Sequence, residues 1–349
     1  MHSPSPSVRI LLSSILLGAG IISLAAQGPA PVAAAPSPAA STGLESAAAA
    51  ASALPRLRSL IVSERGEVKL ERYYKGTRAA TPANIKSASK SVISALVGTA
   101  LLAAHLKDVS TPVAAYFATE LGSSADARKR AINVEHLLTM QSGLESTSGR
   151  NYGAWVSSAN WVRYALRQPL IADPGTAMEY STGNSHLLSA VLTRATNRST
   201  WQFAQESLAR PLGFSLARWP QDPQGIYFGG NDMLMTPRQM VRVGELYLND
   251  GMVGERRVLP EGWVARSFVP RGRSRWGNDR EYGYSWWIRT LGPTTAYYAW
   301  GYGGQFIFVV PATQQVIVTT SNPNVSQERR EHLDGIYDLA AAIVAAGRS

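Results

Sequence analysis

Apolar and polar positions alternate where regular patterning begins. Leu57–Ser63 and Glu67–Tyr74 read as two strands joined by Glu64-Arg65-Gly66, with Val68 and Leu70 set between Glu67, Lys69 and Glu71 as a half-buried strand requires. The period then changes. After Ile85 and Lys86, the residues Val92, Ile93, Leu96, Val97, Ala100, Leu101 and Ala104 recur at the three-and-four spacing of a helix with a buried face. From about 108 to 270 the pattern is mostly helical with many turns. Thr236 as cap and Pro237 in the first position open one helix there, which runs to Asn249 and stops near Gly251. Strands return at Tyr282–Arg289, Thr295–Ala299, Phe306–Val310 and Val316–Ser321, rich in aromatic and β-branched residues. A last helix covers about Gln327–Ala346. This order predicts an α+β fold: one antiparallel sheet built from both chain ends, flanked by helices, with a mostly helical domain inserted within about 108–270.

The first 54 residues follow a different pattern. Arg9 is the only charged side chain before Glu45, and Ile10 to Ala26 is apolar or small without a break. Small residues follow, with Ser23-Leu24-Ala25 or Ala33-Ala34-Ala35 fitting a small-x-small cleavage site. Residues 1–35 are therefore expected to be an export signal and 36–54 an Ala/Pro/Ser-rich linker, leaving one domain over 55–349. The expected location is periplasmic or secreted, without stable membrane insertion after cleavage. Hydrophobic residues make up 45% of the 349, enough for a full core, and there is no cysteine. That excludes disulfides, thiol catalysis, zinc–thiolate sites and iron–sulfur clusters. The net charge of +10 is mostly arginine, with Arg271, Arg273, Arg275 and Arg280 in one loop. No nucleic-acid motif accompanies them, so a solvated loop is expected and nucleic acid is not expected as a partner.

Three segments carry candidate chemistry. Ser87-Ala88-Ser89-Lys90 is the one place where a lysine has a serine three residues before it, and it opens the apolar helix. A serine hydroxyl is a weak nucleophile until a base takes its proton, and residues three apart share a helix face. The N–H groups of a helix start can also hold a developing oxyanion. Serine is equally a common helix cap, so the tetrapeptide alone leaves both roles open. The second segment, Tyr180-Ser181-Thr182-Gly183-Asn184, follows the Asp173-Pro174-Gly175 turn and leads into a helix through Leu187 and Leu188. A tyrosine there can carry a proton if nearby cations lower its pKa, although most of the fourteen tyrosines must be structural. The third, Trp300-Gly301-Tyr302-Gly303-Gly304-Gln305, precedes a strand and reads as a glycine-rich hairpin whose N–H groups could also face an oxyanion.

Together, the order and spacing of these segments resemble the serine β-lactamase and penicillin-binding superfamily, above all class C β-lactamase-like hydrolases such as family VIII carboxylesterases, D-stereospecific peptidases and nylon-oligomer hydrolases. The resemblance spans roughly 55–349 and includes the leucine-rich stretch Leu137-Leu138-Thr139-Met140-Gln141-Ser142-Gly143-Leu144. It implies that Ser87 attacks an ester or amide carbonyl, with Lys90 and Tyr180 handling the proton and the Ser87 and Gln305 N–H groups forming the oxyanion hole. It also implies substrate contacts at Thr182, Asn184, Tyr302, Gly303 and Gly304, a small-molecule ester or amide as substrate, no cofactor and no metal.

Two positions depart from the family pattern. Thr182 stands where the second motif often has asparagine, with Asn184 two residues further on, and Tyr302 stands where the third motif has lysine or histidine. A lysine would attract a substrate carboxylate, so its absence points away from β-lactam or D-Ala-D-Ala substrates and towards less anionic ones. β-Lactamase or D-amino-acid peptidase activity remains the enzymatic alternative, and a cell-wall or β-lactam sensor that acylates without turnover is the non-catalytic one. A Ser-His-Asp hydrolase is disfavoured. There is no Gly-x-Ser-x-Gly elbow, and among the five histidines His136 and His186 read as structural helix residues. No two histidines have metal-ligand spacing either.

Overall fold

The computed structural model describes residues 1–2, 38–122, 126–274, 280–324 and 329–347. The expected signal segment, Arg275 and Gln327 lie outside the described residues. The early strands form as read: β1 (Leu57–Glu64) and β2 (Glu67–Tyr73) make a hairpin closed by Arg65 and Gly66, both at positive φ. A two-residue pair, β3 (Ala83–Asn84) with β4 (Leu234–Met235), ties the segment before Ser87 to the chain some 150 residues on, and β5 (Met252–Val253) pairs with β6 (Arg256–Arg257). The late strands are β7 (Gly272–Arg273), β8 (Glu281–Tyr282), β9 (Trp287–Leu291), β10 (Thr294–Gly301), β11 (Gln305–Val310) and β12 (Gln315–Ser321). Eight strands form one antiparallel sheet in the order β2-β1-β12-β11-β10-β9-β8-β7. Both chain ends contribute to it, as the sequence predicts.

One expected strand, Tyr282–Arg289, is in fact two. The chain turns between β8 and β9, with the Gly283 N–H bonded to the Trp286 carbonyl and Ser285 at φ 61°. Gly283 permits the turn because a Cβ there would lie 2.1 Å from the Ser267 carbonyl oxygen. Aromatic content suggested a continuous strand, and close backbone packing overrode it.

The helices cover both faces of the sheet. On one face α2 (Ser89–Leu102) and α9 (Pro237–Leu248) pack on the sheet, and the helices α3 (Ala118–Leu121), α4 (Val134–Leu138), α5 (Tyr152–Val156), α6 (Trp161–Arg167), α7 (Thr182–Thr196), α8 (Thr200–Ala204) and α10 (Trp263–Ser267) join them in the same apolar core. On the other lie α1 (Pro38–Ala53) and α11 (Arg329–Ala346). Strands β11 and β12 are buried throughout, because a sheet covered on both faces has no polar side to present. Ala104 was expected on the buried face of α2, but it lies past the helix end at φ 57° and is exposed.

The expected linker over 36–54 is largely the helix α1. Ala47, Ala48 and Ala51 are buried, and a Cβ on Gly43 would lie 2.6 Å from the Cβ of Ala346 in α11. Alanine is the best helix former, and its small side chain lets two helices approach closely. Low complexity there reflects a small-residue packing face rather than an unstructured connection. Among the described residues no helix is long and apolar enough to cross a membrane.

Candidate active site

The chain enters α2 through a constrained turn. Lys86 sits at φ 51°, Asn84 Oδ1 accepts the Lys86 N–H at 2.9 Å, and Lys86–Ala88 form a 3₁₀ turn before the α-helix proper begins at Ser89. Ser87 is therefore placed just before the helix rather than in its first turn. Ser89 locks the turn from behind: its hydroxyl donates to the Lys86 carbonyl at 2.6 Å and accepts the Met233 N–H at 3.2 Å. Lys86 Nζ and Asn84 Nδ2 both bond Asp232 Oδ1, at 2.9 and 2.8 Å. From the sheet side, Gly301 at the end of β10 packs so tightly that a Cβ would lie 2.0 Å from the Ile85 carbonyl oxygen. That contact brings the hairpin before Gln305 against the turn that carries Ser87.

All residues from Ser89 to Ala100 are buried, so Lys90 is enclosed at 1% exposure. Its Nζ lies 3.2 Å from Ser87 Oγ, 3.4 Å from Thr182 Oγ1 and 2.6 Å from the Gly230 carbonyl oxygen. The ammonium also stands 5.0 Å from the centre of the Tyr180 ring. Burial holds the Lys90 pKa down to about 7, against a weaker opposing pull from the Asp232 carboxylate. A neutral amine has two N–H donors and one lone pair. With the donors on Gly230 and Thr182, the lone pair is free to accept the Ser87 proton.

Tyr180 ends the loop before α7. The Ser146 hydroxyl bonds its carbonyl at 2.7 Å, and its ring stacks on Trp287 at 5.5 Å with Tyr282 edge-on at 6.2 Å. Burial pushes its hydroxyl up to about 12, and a hydrogen bond with Ser87 works in the opposite direction. At neutral pH it is a phenol, a proton donor and acceptor rather than a phenolate.

The structure thus brings Ser87, Lys90, Tyr180 and Thr182 together. Thr182, expected to contact substrate, bonds Lys90 and shares its hydroxyl with Ser148 at 2.9 Å. Asn184 is turned elsewhere, with its amide taken by Ser142 at 3.0 Å and Met140 Sδ at 3.8 Å. Gln305 commits its side chain to β12, donating to the Ser321 carbonyl at 2.7 Å and accepting the Ser321 N–H at 3.2 Å, so any oxyanion contact falls to its backbone N–H. Tyr302 is 40% exposed on the hairpin turn. Gly303 and Gly304, at φ 87° and 108°, back onto Pro323 and onto Ser321 and Ile336, where a Cβ would lie within 2.8 Å. Of the arginine loop, Arg271 pairs with Glu135, Arg273 with Glu281, and Arg280 lies over the Trp300 ring.

Sequence reasoning missed Gly229-Gly230-Asn231-Asp232. Gly230 accepts the shortest Lys90 bond, and a Cβ on it would lie 2.6 Å from Thr182 Cγ2. The signal was a Gly-Gly pair just ahead of the Thr236-Pro237 helix start, a place where backbone can approach closely.

The antiparallel sheet, the helical insertion and a Ser-x-x-Lys turn facing a tyrosine define the serine β-lactamase and penicillin-binding class. The family model for Beta-lactamase matches residues 47–342, and the chain belongs to that family, a family of hydrolases. A 6-aminohexanoate-dimer hydrolase of Paenarthrobacter ureafaciens is 25% identical over 288 residues, covering 74% of this chain and 71% of the relative. Two solved structures share the fold. EstCE1, described as a hydrolase with promiscuous acyltransferase activity, aligns with TM-score 0.71 at 17% identity over 89% of this chain and 99% of its own. A penicillin-binding protein from Bacillus halodurans aligns with TM-score 0.66 at 15% identity over 86% and 98%.

Proposed function

We propose that the protein is an exported serine hydrolase that cleaves esters or amides of small, weakly anionic substrates through an acyl-enzyme on Ser87. The observation that carries this reading is the enclosed Lys90 amine, 3.2 Å from Ser87, with its pKa lowered by burial. Lys90 takes the Ser87 proton as the oxygen attacks the carbonyl. Lys90, with Tyr180 close by, then passes that same proton to the leaving group, and Tyr180 later helps activate the water that releases the acyl group. The N–H groups of Ser87 and Gln305 hold the oxyanion. The similarity to an amide-bond hydrolase, named for the 6-aminohexanoate dimer, keeps amides within the proposed range. Export rests on the apolar run and small-residue sites of the first 35 residues.

Turnover of a short p-nitrophenyl ester in excess over enzyme tests the reading. A single stoichiometric burst with no turnover would favour the sensor instead.

Substrate charge gives a separate prediction. A lysine at position 302 would pair with the carboxylate of a β-lactam, and a charge-assisted hydrogen bond is worth roughly 1.5–3 kcal/mol. Without it, kcat/KM for penicillins and cephalosporins should be about ten- to a hundredfold poorer. Neutral short esters are expected to be good substrates, and Tyr302→Lys is expected to raise β-lactam turnover relative to ester turnover. Efficient cephalosporin hydrolysis by the unmodified protein would overturn this and favour the β-lactamase alternative.

A further inference from the structure

A second ionisable pair lies deeper in the helical domain, and the acyl-enzyme chemistry does not use it directly. His186 on α7 and Asp222 in the loop that leads to β4 have fully buried side chains, with His186 Nε2 and Asp222 Oδ2 3.0 Å apart. Rings of Trp161, Trp155 and Phe228 enclose the imidazole, with centroids at 5.3, 5.8 and 6.0 Å. Burying a carboxylate is expensive unless each oxygen finds a donor. Asp222 meets that condition: Oδ1 accepts the N–H groups of Gln224 at 2.8 Å and Ile226 at 2.9 Å, and Oδ2 faces the imidazole.

The opposite ring nitrogen fixes the tautomer. His186 Nδ1 lies 3.4 Å from the Gly229 N–H, a donor, so Nδ1 must accept and the proton sits on Nε2, facing Asp222. The next residue, Gly230, presents its carbonyl to Lys90 at 2.6 Å. Steric contacts leave this segment little room. A Cβ on Gly229 would lie 2.1 Å from the Ser185 carbonyl oxygen, and one on Gly230 2.6 Å from Thr182. Two further bonds stitch the loop down, Ser189 Oγ to the Tyr227 carbonyl at 2.6 Å and Trp219 Nε1 to the Phe228 carbonyl at 3.0 Å.

We infer that His186 and Asp222 are positioning residues for Lys90: the pair holds Gly229, and through it aims the Gly230 carbonyl that orients the amine at Ser87. This inference rests on the proposed Ser87 acyl-enzyme. The two acceptor oxygens of Asp222 make it specific to a carboxylate. In Asp222→Asn, the amide nitrogen must face either the Gln224 and Ile226 N–H groups, setting donor against donor, or His186 Nε2. In the second case the imidazole proton moves to Nδ1 and opposes the Gly229 N–H. Either mismatch disturbs the loop that holds Lys90, without touching substrate.

The groups facing Lys90 are Ser87, Tyr180, Thr182 and the Gly230 carbonyl, with the Asp232 carboxylate acting at longer range. A displaced Gly230 carbonyl therefore changes the amine's surroundings as well as its aim. The test compares wild type, Asp222→Asn and Leu192→Ala, a buried position on the same helix, for p-nitrophenyl ester turnover between pH 5 and 10 and for thermal melting. Leu192→Ala is expected to lower the melting temperature while keeping kcat within about threefold and the acid limb in place. Asp222→Asn is expected to lower kcat about ten- to a hundredfold with KM nearly unchanged, since small misplacements of a catalytic group cost on that order. Its acid limb should move by at least about half a pH unit. An acid limb and rate like wild type in Asp222→Asn would overturn the inference, as would an equal displacement in Leu192→Ala.

Nitrogen-15 NMR of the wild-type imidazoles, with His186 assigned by its loss in His186→Gln, decides the matter even if Asp222→Asn does not fold. A proton on Nε2 at pH 8 supports the arrangement, and one on Nδ1 or on both nitrogens refutes it. Ser87→Ala run in parallel separates the two proposals. If it still turns over the ester, the acyl-enzyme reading falls and this one with it. If it is inactive while Asp222→Asn behaves as wild type, only the positioning role is lost.

Discussion

Ser87→Ala should reduce ester turnover by at least about 10⁴-fold while leaving circular dichroism and melting nearly unchanged. The change removes one oxygen whose partners are Lys90 and Tyr180, and neither the 3₁₀ turn nor the start of α2 depends on it. The turn is held instead by Ser89, Asn84 and the Asp232 pair, all of which remain. A fluorophosphonate should add its phosphonyl group to Ser87 in the wild type, visible by intact and peptide mass spectrometry, and not to the variant. Modification of a different serine, or turnover by the variant, would remove Ser87 from the mechanism.

Loss of the proton carriers should be nearly as severe. Lys90→Met and Tyr180→Phe are each expected to lose about 10²–10⁴-fold in kcat/KM. The double variant should lose much less than the product of the two, because the groups share one proton path. Strict additivity would argue against that sharing. The pH profile supplies an independent reading. Lys90 must be neutral to accept a proton, so activity should fall below an apparent pKa near 7, while Tyr180, held near 12, stays protonated across the ordinary range. The limb belongs to the coupled pair rather than to one residue.

Folding stability should depend on the same amine. Unfolded, Lys90 titrates near its ordinary value of 10.5; folded, it titrates near 7. Between those values the unfolded chain binds more protons, so the fold gains stability as pH rises from about 7 towards 10.5, and loses it as pH falls through that window. Lys90→Met should abolish this dependence, which equilibrium denaturation at several pH values would reveal.

Much of this site could be read in the sequence because its parts are local. Ser87 and Lys90 are three residues apart and Tyr180 lies two residues before a helix, so spacing drew attention to them, and the order of the three motifs, by its resemblance to the family, implied their roles. The sheet was legible for a similar reason: alternation in β1 and β2 and β-branched runs in β11 and β12 are short-range signals. What escaped depends on contacts between distant segments. The Gly229-Gly230 pair signals a close approach of backbone, but not that the partner is Lys90, 140 residues away in sequence. The roles of Thr182 and Asn184 were set by which neighbour each side chain reached, Lys90 for one and Ser142 for the other. The helix α1 escaped because alanine-rich composition resembles a linker until a partner face, here α11, gives it something to pack against.

The pairing of β1 with β12 has a consequence for how the protein is made. Glu64 faces Gln315 in that register, and roughly 250 residues separate them. At a synthesis rate of about 5–20 residues per second, β1 waits about 12–50 s for its partner to emerge. During that interval β1 and β2 form a two-stranded hairpin with an unpaired apolar edge, which is only marginally stable in water. The N-terminal half of the chain therefore cannot settle as a finished unit while the ribosome is still working. β1, second from the edge of the sheet, keeps one side unpaired until β12 is made, so truncation anywhere before β12 should leave an aggregation-prone product rather than a smaller folded one.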